Sequence, residues 1–373
     1  MNKSLYQRIV SFTNARLWQL THVDILLLLA LLLLMTGGLF VLYSASGQDV
    51  AMVERQVLRL GIGMAVCLGL AQLPPKYMRR ASPILFAVLV AMLVGVLLFG
   101  VGAKGAQRWL ALPGGLRFQP SEIMKIVMPM MVAWYFAHRP IPPTLKEIVT
   151  VLIVIAVPSM MIAKQPDLGT ALLVGVSGIF ALFLAGLGWR YILSAAAIAP
   201  IAAYSLWQVM REYQKQRVLT FLDPESDPLG SGWNIIQSKT AIGSGGVHGK
   251  GWLEGSQAQL NFLPESHTDF IIAVLAEEFG LIGCALLMCA YLLVIARGLY
   301  IAAYAEDNYA RLLAGSITLT FFVYMFVNIG MVSGILPVVG VPLPLVSYGG
   351  TSIITIMATF GILMSIQTHK RAQ

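Results

Sequence analysis

Between Arg311 and Lys370 the chain contains no Asp, Glu, Lys or Arg. A charge-free stretch of that length does not suit a solvated surface, and it is long enough to cross about 30 Å of hydrocarbon twice. Pro337, Pro342 and Pro344 interrupt it, which predicts two spans joined by irregular backbone. Such backbone persists at membrane depth only where it is buried in protein or lines a cavity. The run holding Asn328, Ser333, Gly334, Pro337, Gly340, Pro342, Pro344, Ser347, Tyr348, Gly349 and Gly350 is therefore read as a re-entrant loop.

The rest of the chain repeats the pattern. Uncharged runs of spanning length recur at 25–48, 60–75, 81–103, 148–163, 168–189, 191–210 and 279–296. A further span covers 126–137 if its helix starts near Ser121 and carries Glu122 and Lys125 inside. With 58% apolar and 11% charged residues and a mean hydropathy of +0.78, the expectation is an all-α polytopic membrane protein. It would have about ten transmembrane helices. One domain over 24–368 would be flanked by tails 1–23 and 369–373. A long segment, 208–268, would lie between helices 7 and 8, and the re-entrant loop between helices 9 and 10. Cys67, Cys284 and Cys289 fall inside spans and read as small packing residues, with no disulfide framework and no metal spacing.

Short loops on the side of the N-terminus all carry positive charge: Lys3, Arg8 and Arg16, then Lys76, Arg79 and Arg80, then Arg139 and Lys146, Arg190, Arg297 and Arg311, and Lys370 with Arg371. Both termini are accordingly expected in the cytoplasm. The opposite face is also basic, with Arg55, Arg59, Lys104, Arg108, Arg117, Lys164, Arg211, Lys215, Arg217, Lys239 and Lys250. Positive charge there opposes the insertion rule, and it fits an anionic ligand at the outer leaflet. The compartment excludes nucleic acid. A lipid-linked phosphate or pyrophosphate matches, because clustered cations hold it and neutralise charge that develops on a leaving group.

The long polar segment closes with Glu265-Ser266-His267-Thr268-Asp269-Phe270, which runs directly into an apolar helix containing Glu277 and Glu278. A carboxylate at membrane depth costs about 2.5–3.5 kcal/mol by insertion scales, so Asp269 is the first candidate for a reacting group. Glu277 and Glu278 lie about 12 Å further along at 1.5 Å per residue and are expected to meet cations elsewhere. Pro120 and Ser121 supply a helix start, after which Glu122 and Lys125 share one face and either fix two helices or line a cavity, the two roles being compatible. Lys164 and Asp167, around Pro166 and Gly169, are expected to pair across a break between spans. Glu212 to Arg217 reads as a helix on the bilayer surface, and 223–228 as an acidic turn rather than an ion site. Glycines across 242–252 argue against a packed helix there and, with Lys239 and Lys250, suggest backbone amides approaching a ligand. His248 and His267 face the same side as hydrogen-bonding groups.

Four strings, Gln119-Pro120-Ser121-Glu122, Lys164 to Thr170, His267-Thr268-Asp269-Phe270 followed by Ala276-Glu277-Glu278, and Pro342 to Gly350, occur in one chain in this order. Together they resemble the SEDS family (shape, elongation, division and sporulation) over roughly residues 40–368. Ser44 to Asp49, the short N-terminal tail and Asn328 to Pro337 are most similar to its rod-shape branch rather than its division branch.

That resemblance implies a peptidoglycan glycosyltransferase polymerising lipid II, the undecaprenyl-pyrophosphate-linked disaccharide pentapeptide. It would act at the periplasmic face of the bacterial cytoplasmic membrane during elongation. The implied partners are a class B penicillin-binding protein transpeptidase and membrane proteins of the elongation complex. The essential carboxylate of the family falls on Asp269, the residue chosen above on physical grounds. Substrate-binding candidates are Arg55, Lys104, Arg108, Glu122, Lys125, Lys164, Asp167, Arg211, Lys239, His267 and Ser347. Arg55, Lys104, Arg108, Lys125 and Arg211 are the ones expected to hold pyrophosphate. No cofactor is required, and a divalent cation, Mg2+ or Mn2+, is compatible with the chemistry. Two rival readings remain: a lipid II flippase, which needs an anion path through the bilayer, and a non-catalytic scaffold, which would tolerate neutralisation of Asp269.

Overall fold

The computed structural model describes residues 21–103, 106–111, 117–210, 212–223, 231–256 and 265–369. Three helices come first, α1 (Ile25–Ala45), α2 (Val50–Ala71) and α3 (Pro75–Phe99). Strands β1 (Val101–Ala103), β2 (Ala106–Ala111) and β3 (Arg117–Phe118) follow as one small antiparallel sheet in the order β1-β2-β3. Next are α4 (Pro120–Phe136), α5 (Leu145–Lys164), α6 (Leu168–Leu184), α7 (Trp189–Val209), α8 (Glu212–Leu222) and α9 (Ser231–Gly245). The chain closes with α10 (Ile271–Ala303), α11 (Asn308–Val332) and α12 (Thr351–Thr368).

Six of these helices, α1, α3, α5, α10, α11 and α12, are long and apolar enough to cross a membrane. Helices α2, α4, α6 and α7 stand where the sequence expects the other spans; α2 carries Glu54, Arg55 and Arg59, while α4 and α6 have 17 residues each. Apolar side chains both fill the core and cover the outside, unlike those of a soluble protein. Leu29, Leu33, Leu58, Leu98 and Phe99 are exposed, whereas Gln56, Glu122, Lys125, Asp167, Glu277, Glu278 and Asn328 are buried. Apolar groups outward and ionisable groups inward is the arrangement a bilayer solvent imposes. The chain is a multi-pass membrane protein.

Helices α4 and α11 lie in the middle of the bundle, with α12 against α2, and α10 against α1, α11 and α9. Two backbone approaches set this packing. A Cβ on Gly38 would press on the Cα of Val346, and one on Gly361 would overlap the Cys67 carbonyl, so α1 and α12 pack directly on main chain. At the end of the bundle that carries the termini, Asp24 caps α1 through the Leu27 amide at 3.1 Å and takes two hydrogen bonds from Arg297 on α10, at 3.0 and 2.7 Å. Arg297, expected among the loop charges, is instead a structural tie. Arg297→Lys keeps the charge but loses the fork, so the purified protein should be less stable by about 1.5–3 kcal/mol, read as a lower thermal midpoint in detergent.

The structure departs from expectation in three places. Helix α3 stops at Phe99 and the chain turns into β1, because Gly100 takes an extended conformation (φ −62°, ψ 140°) after its amide makes the last helical bond to Val96 O. Helix α9 continues through Gly243 to Gly245, where no packed helix was expected. The reason is proximity to α10: a Cβ at Gly245 would overlap the Ala276 carbonyl, so glycine here permits packing rather than preventing it. Lys164 is exposed at the end of α5, and Asp167 pairs with Arg108 instead, 3.8 Å away. In the long segment, 224–230 lies outside the described residues, and with it most of the acidic turn.

Candidate active site

Asp269 sits two residues before α10, at the end of the bundle that carries the 208–268 segment, and its surroundings are built largely from main chain. Asn328 on α11 is fully buried, and its amide donates to Asp269 O and to Val341 O, each at 2.8 Å. The irregular segment after α11 approaches from the other side. Gly340 has φ +75°, a conformation that favours glycine, and it stands beside the carboxylate: a Cβ there would lie 3.5 Å from Asp269 Oδ2, in ordinary contact. The Ser347 hydroxyl donates to Thr268 O and accepts from the Leu343 amide at 2.9 Å, and the Tyr348 amide donates to His267 O at 2.9 Å. The irregular segment after α11 and the Glu265–Phe270 turn are thus zipped together, with Asp269 half-buried between them.

Helix α2 contributes a polar face. Gln56 donates to Ser347 O at 3.0 Å and accepts from the Gly349 amide at 3.3 Å. Arg59 donates to Gly349 O at 3.2 Å, and its guanidinium stands 4.5 Å from the centroid of the Tyr348 ring. The ring of His267 meets the same tyrosine edge-on at 6.0 Å. A cation, an imidazole, a phenol and a carboxylate therefore occupy one neighbourhood. A fixed carboxylate beside such donors can take a proton from a hydroxyl while cations hold a departing anion.

A second group lies deeper. Lys125 donates to Glu122 Oε1 at 2.7 Å, Thr355 on α12 donates to Glu122 Oε2 at 3.2 Å, and Lys125 stands 5.3 Å from the Tyr324 ring centroid. A cavity of about 30 Å³ adjoins these side chains. Tyr324 and Asn328 are four residues apart on α11, so one turn, about 6 Å, separates the lysine's neighbour from the side chain that holds Asp269. The third group joins the start of α4 to the start of α6: Gln119 donates to Asp167 Oδ2 at 3.2 Å, and Arg108 donates to Pro166 O besides pairing with Asp167.

The structure brings together Asp269, His267 and Ser347 at one place, Glu122 with Lys125 at another, and Asp167 with Arg108 at a third. Three expected ligands stand apart: Arg55 faces Asp49 at 3.7 Å on the surface, Lys164 is exposed, and the stem of Lys239 lies over Gly334. Lys104 and Arg211 lie outside the described residues. Gln56 was not singled out from the sequence, and Arg59 was named only among the cations of the outer face. Their spacing of three in an apolar helix was the available signal, since it puts both on one face.

The structure is that of a polytopic helical membrane protein, with a half-buried carboxylate lying against an irregular segment between two of its helices. The family of cell cycle proteins that groups FtsW, RodA and SpoVE matches residues 23–372. The chain belongs to this family and is a multi-pass membrane glycosyltransferase. It is 54% identical over 357 residues to the peptidoglycan glycosyltransferase MrdB of Escherichia coli K12, covering 95% of this chain and 96% of that one. It is 36% identical over 363 residues to the probable peptidoglycan glycosyltransferase FtsW of Trichlorobacter lovleyi, with 94% of each chain covered. A chain from a study titled for the coordination of polymerization and crosslinking by a peptidoglycan synthase complex superposes with a TM-score of 0.81 at 29% identity, over 92% of this chain and 97% of that one. The rod shape determining protein RodA of Thermus thermophilus superposes at 0.70 and 26% identity, over 92% and 96%.

Proposed function

We propose that this chain polymerises lipid II into β-1,4 glycan strands during cell elongation, with Asp269 as general base. The observation that carries the reading is the placement of Asp269: its backbone carbonyl is held by the buried Asn328, and its half-buried carboxylate lies against Gly340 of the irregular segment. Its carboxylate would take the proton from the GlcNAc 4-hydroxyl of the acceptor. The oxygen then attacks C1 of the donor MurNAc, inverting it, and the bond to undecaprenyl pyrophosphate breaks with the electron pair leaving on phosphate. A pyrophosphate held by cations leaves without a proton, so no second carboxylate is needed as general acid, unlike in glycoside hydrolysis.

Among the described cations, Arg59, Arg108 and Lys125 are the ones we assign to the substrate's anionic groups. Arg59 is nearest by connectivity, through Tyr348 and Gly349. Among the described residues no three His, Cys, Asp or Glu side chains gather, so no step of this reading is assigned to a divalent cation. The termini would lie in the cytoplasm and the Asp269 end would face the periplasm. A class B penicillin-binding protein is the proposed partner, in line with the synthase complex from which a structural neighbour comes.

The test is incubation of the purified chain and its transpeptidase with lipid II, with products resolved on a gel. Glycan ladders support the reading. A folded complex that yields none overturns it.

A further inference from the structure

Helix α10 is broken at Gly280, whose φ of 63° and ψ of −158° lie outside the helical region. In a continuous helix the amides of Leu281 and Ile282 would donate to the carbonyls of Glu277 and Glu278. Here a strap formed by residues 246–251 is inserted between them. The Lys250 and Gly251 amides donate to Glu277 O and Glu278 O, each at 3.0 Å, while Leu281 and Ile282 donate to Gly246 O and Val247 O at 3.0 and 3.2 Å. The strap supplies a partner for each of the four groups that the break separates, so the broken helix keeps its hydrogen bonds. Glycines make the insertion sterically feasible. A Cβ on Gly249 would overlap Glu278 O, and one on Gly280 would overlap the Gly249 amide.

Side chains lock the strap in place. Glu277 is fully buried and accepts from Lys250 at 2.6 Å and from Ser256 at 3.0 Å, and Lys250 also donates to Ser256 at 2.9 Å. Its neighbour Glu278 accepts from Ser44 at the end of α1, and the next residue of α1, Ala45, accepts from Ser266 at 2.9 Å. The end of α1 therefore ties to both sides of Asp269, at 266 and at 278. Residues 271–278 between Asp269 and the break are all buried. The break sets the direction of this short rigid segment, and the segment carries Asp269 at its head.

We propose that Lys250 and Glu277 are positioning residues for the transferase reaction: their ion pair holds the strap in the Gly280 break and thereby aims Asp269. This inference rests on the reading of Asp269 as base.

The test compares full-length wild type with Lys250→Ala, Glu277→Gln and Lys250→Arg, each with the partner transpeptidase. It reads lipid II polymerisation kinetics and hydrogen exchange at the Leu281 and Ile282 amides. A misplaced base costs rate rather than substrate affinity, so Lys250→Ala and Glu277→Gln should lower kcat about 10- to 100-fold with KM little changed. Exchange at the two amides should speed up in both variants, and Lys250→Arg should retain wild-type kcat and protection. Should Lys250→Ala fail to fold, the isosteric Glu277→Gln carries the comparison. Faster exchange with unchanged kcat would overturn the proposal, because the strap would then be a stabilising clip only. Slow exchange in a wild type that makes no glycan would instead overturn the transferase reading on which it stands.

Discussion

Asp269→Asn should lower lipid II polymerisation at least about 100-fold, the lower end of what a positioned general base contributes. Folding should be retained. The bonds from Asn328 to the Asp269 carbonyl, from the Ser347 hydroxyl to Thr268 O and from the Tyr348 amide to His267 O, which hold the turn in place, do not use the ionised carboxylate. The measurement is glycan chain formation by wild type and variant at equal loading, with the thermal midpoint and partner binding recorded alongside. A variant that is stable, binds its transpeptidase and still polymerises at the wild-type rate would remove Asp269 from the chemistry.

Lys125→Met should destabilise the protein more than Arg297→Lys does. Glu122 and Lys125 are both buried, 2.7 Å apart, and Thr355 fixes the remaining Glu122 oxygen. Removing the cation leaves a carboxylate without its counter-charge in the middle of the bundle, at a cost of about 3–5 kcal/mol. Methionine fills much of the lysine stem's space, so the loss reports charge rather than a cavity. The double variant Glu122→Gln/Lys125→Met should recover most of the stability, because no uncompensated charge remains. Thermal midpoints of wild type, the two single variants and the double variant in detergent close the cycle. If both the Lys125→Met and the double variant polymerise at wild-type rates, Lys125 has no part in holding the pyrophosphate.

How much of this was legible beforehand differs from one residue to another. Asp269 stood out because a carboxylate at the mouth of an apolar helix is costly in any fold, and that cost depends on local sequence alone. Glu122 and Lys125 were legible as a pair because a spacing of three on a helix start fixes their distance whatever surrounds them. Lys164 and Asp167 have the same spacing but stand either side of Pro166, outside a common helix, and there the rule fails: Asp167 becomes the cap of α6 and turns to Arg108. Arg59 was visible as a charge, but nothing local told that it would reach Gly349, which is 290 positions away. The glycines of 242–252 misled most. Their lack of a side chain weakens a helix in isolation, yet in contact with α10 it is what allows the backbones to meet.

The sequence by itself determined that this is a helical membrane protein and where its main apolar helices fall, and it singled out Asp269 as the carboxylate at a helix mouth. Each follows from the free energy of moving a segment's own groups between water and hydrocarbon. Tertiary structure alone decided the partners: Asn328 for the Asp269 carbonyl, Arg297 for Asp24, and Lys250 for Glu277 in the broken helix. Those choices depend on which distant segments arrive at the same buried point, where an ionic or polar group must find its complement in whatever chain is there.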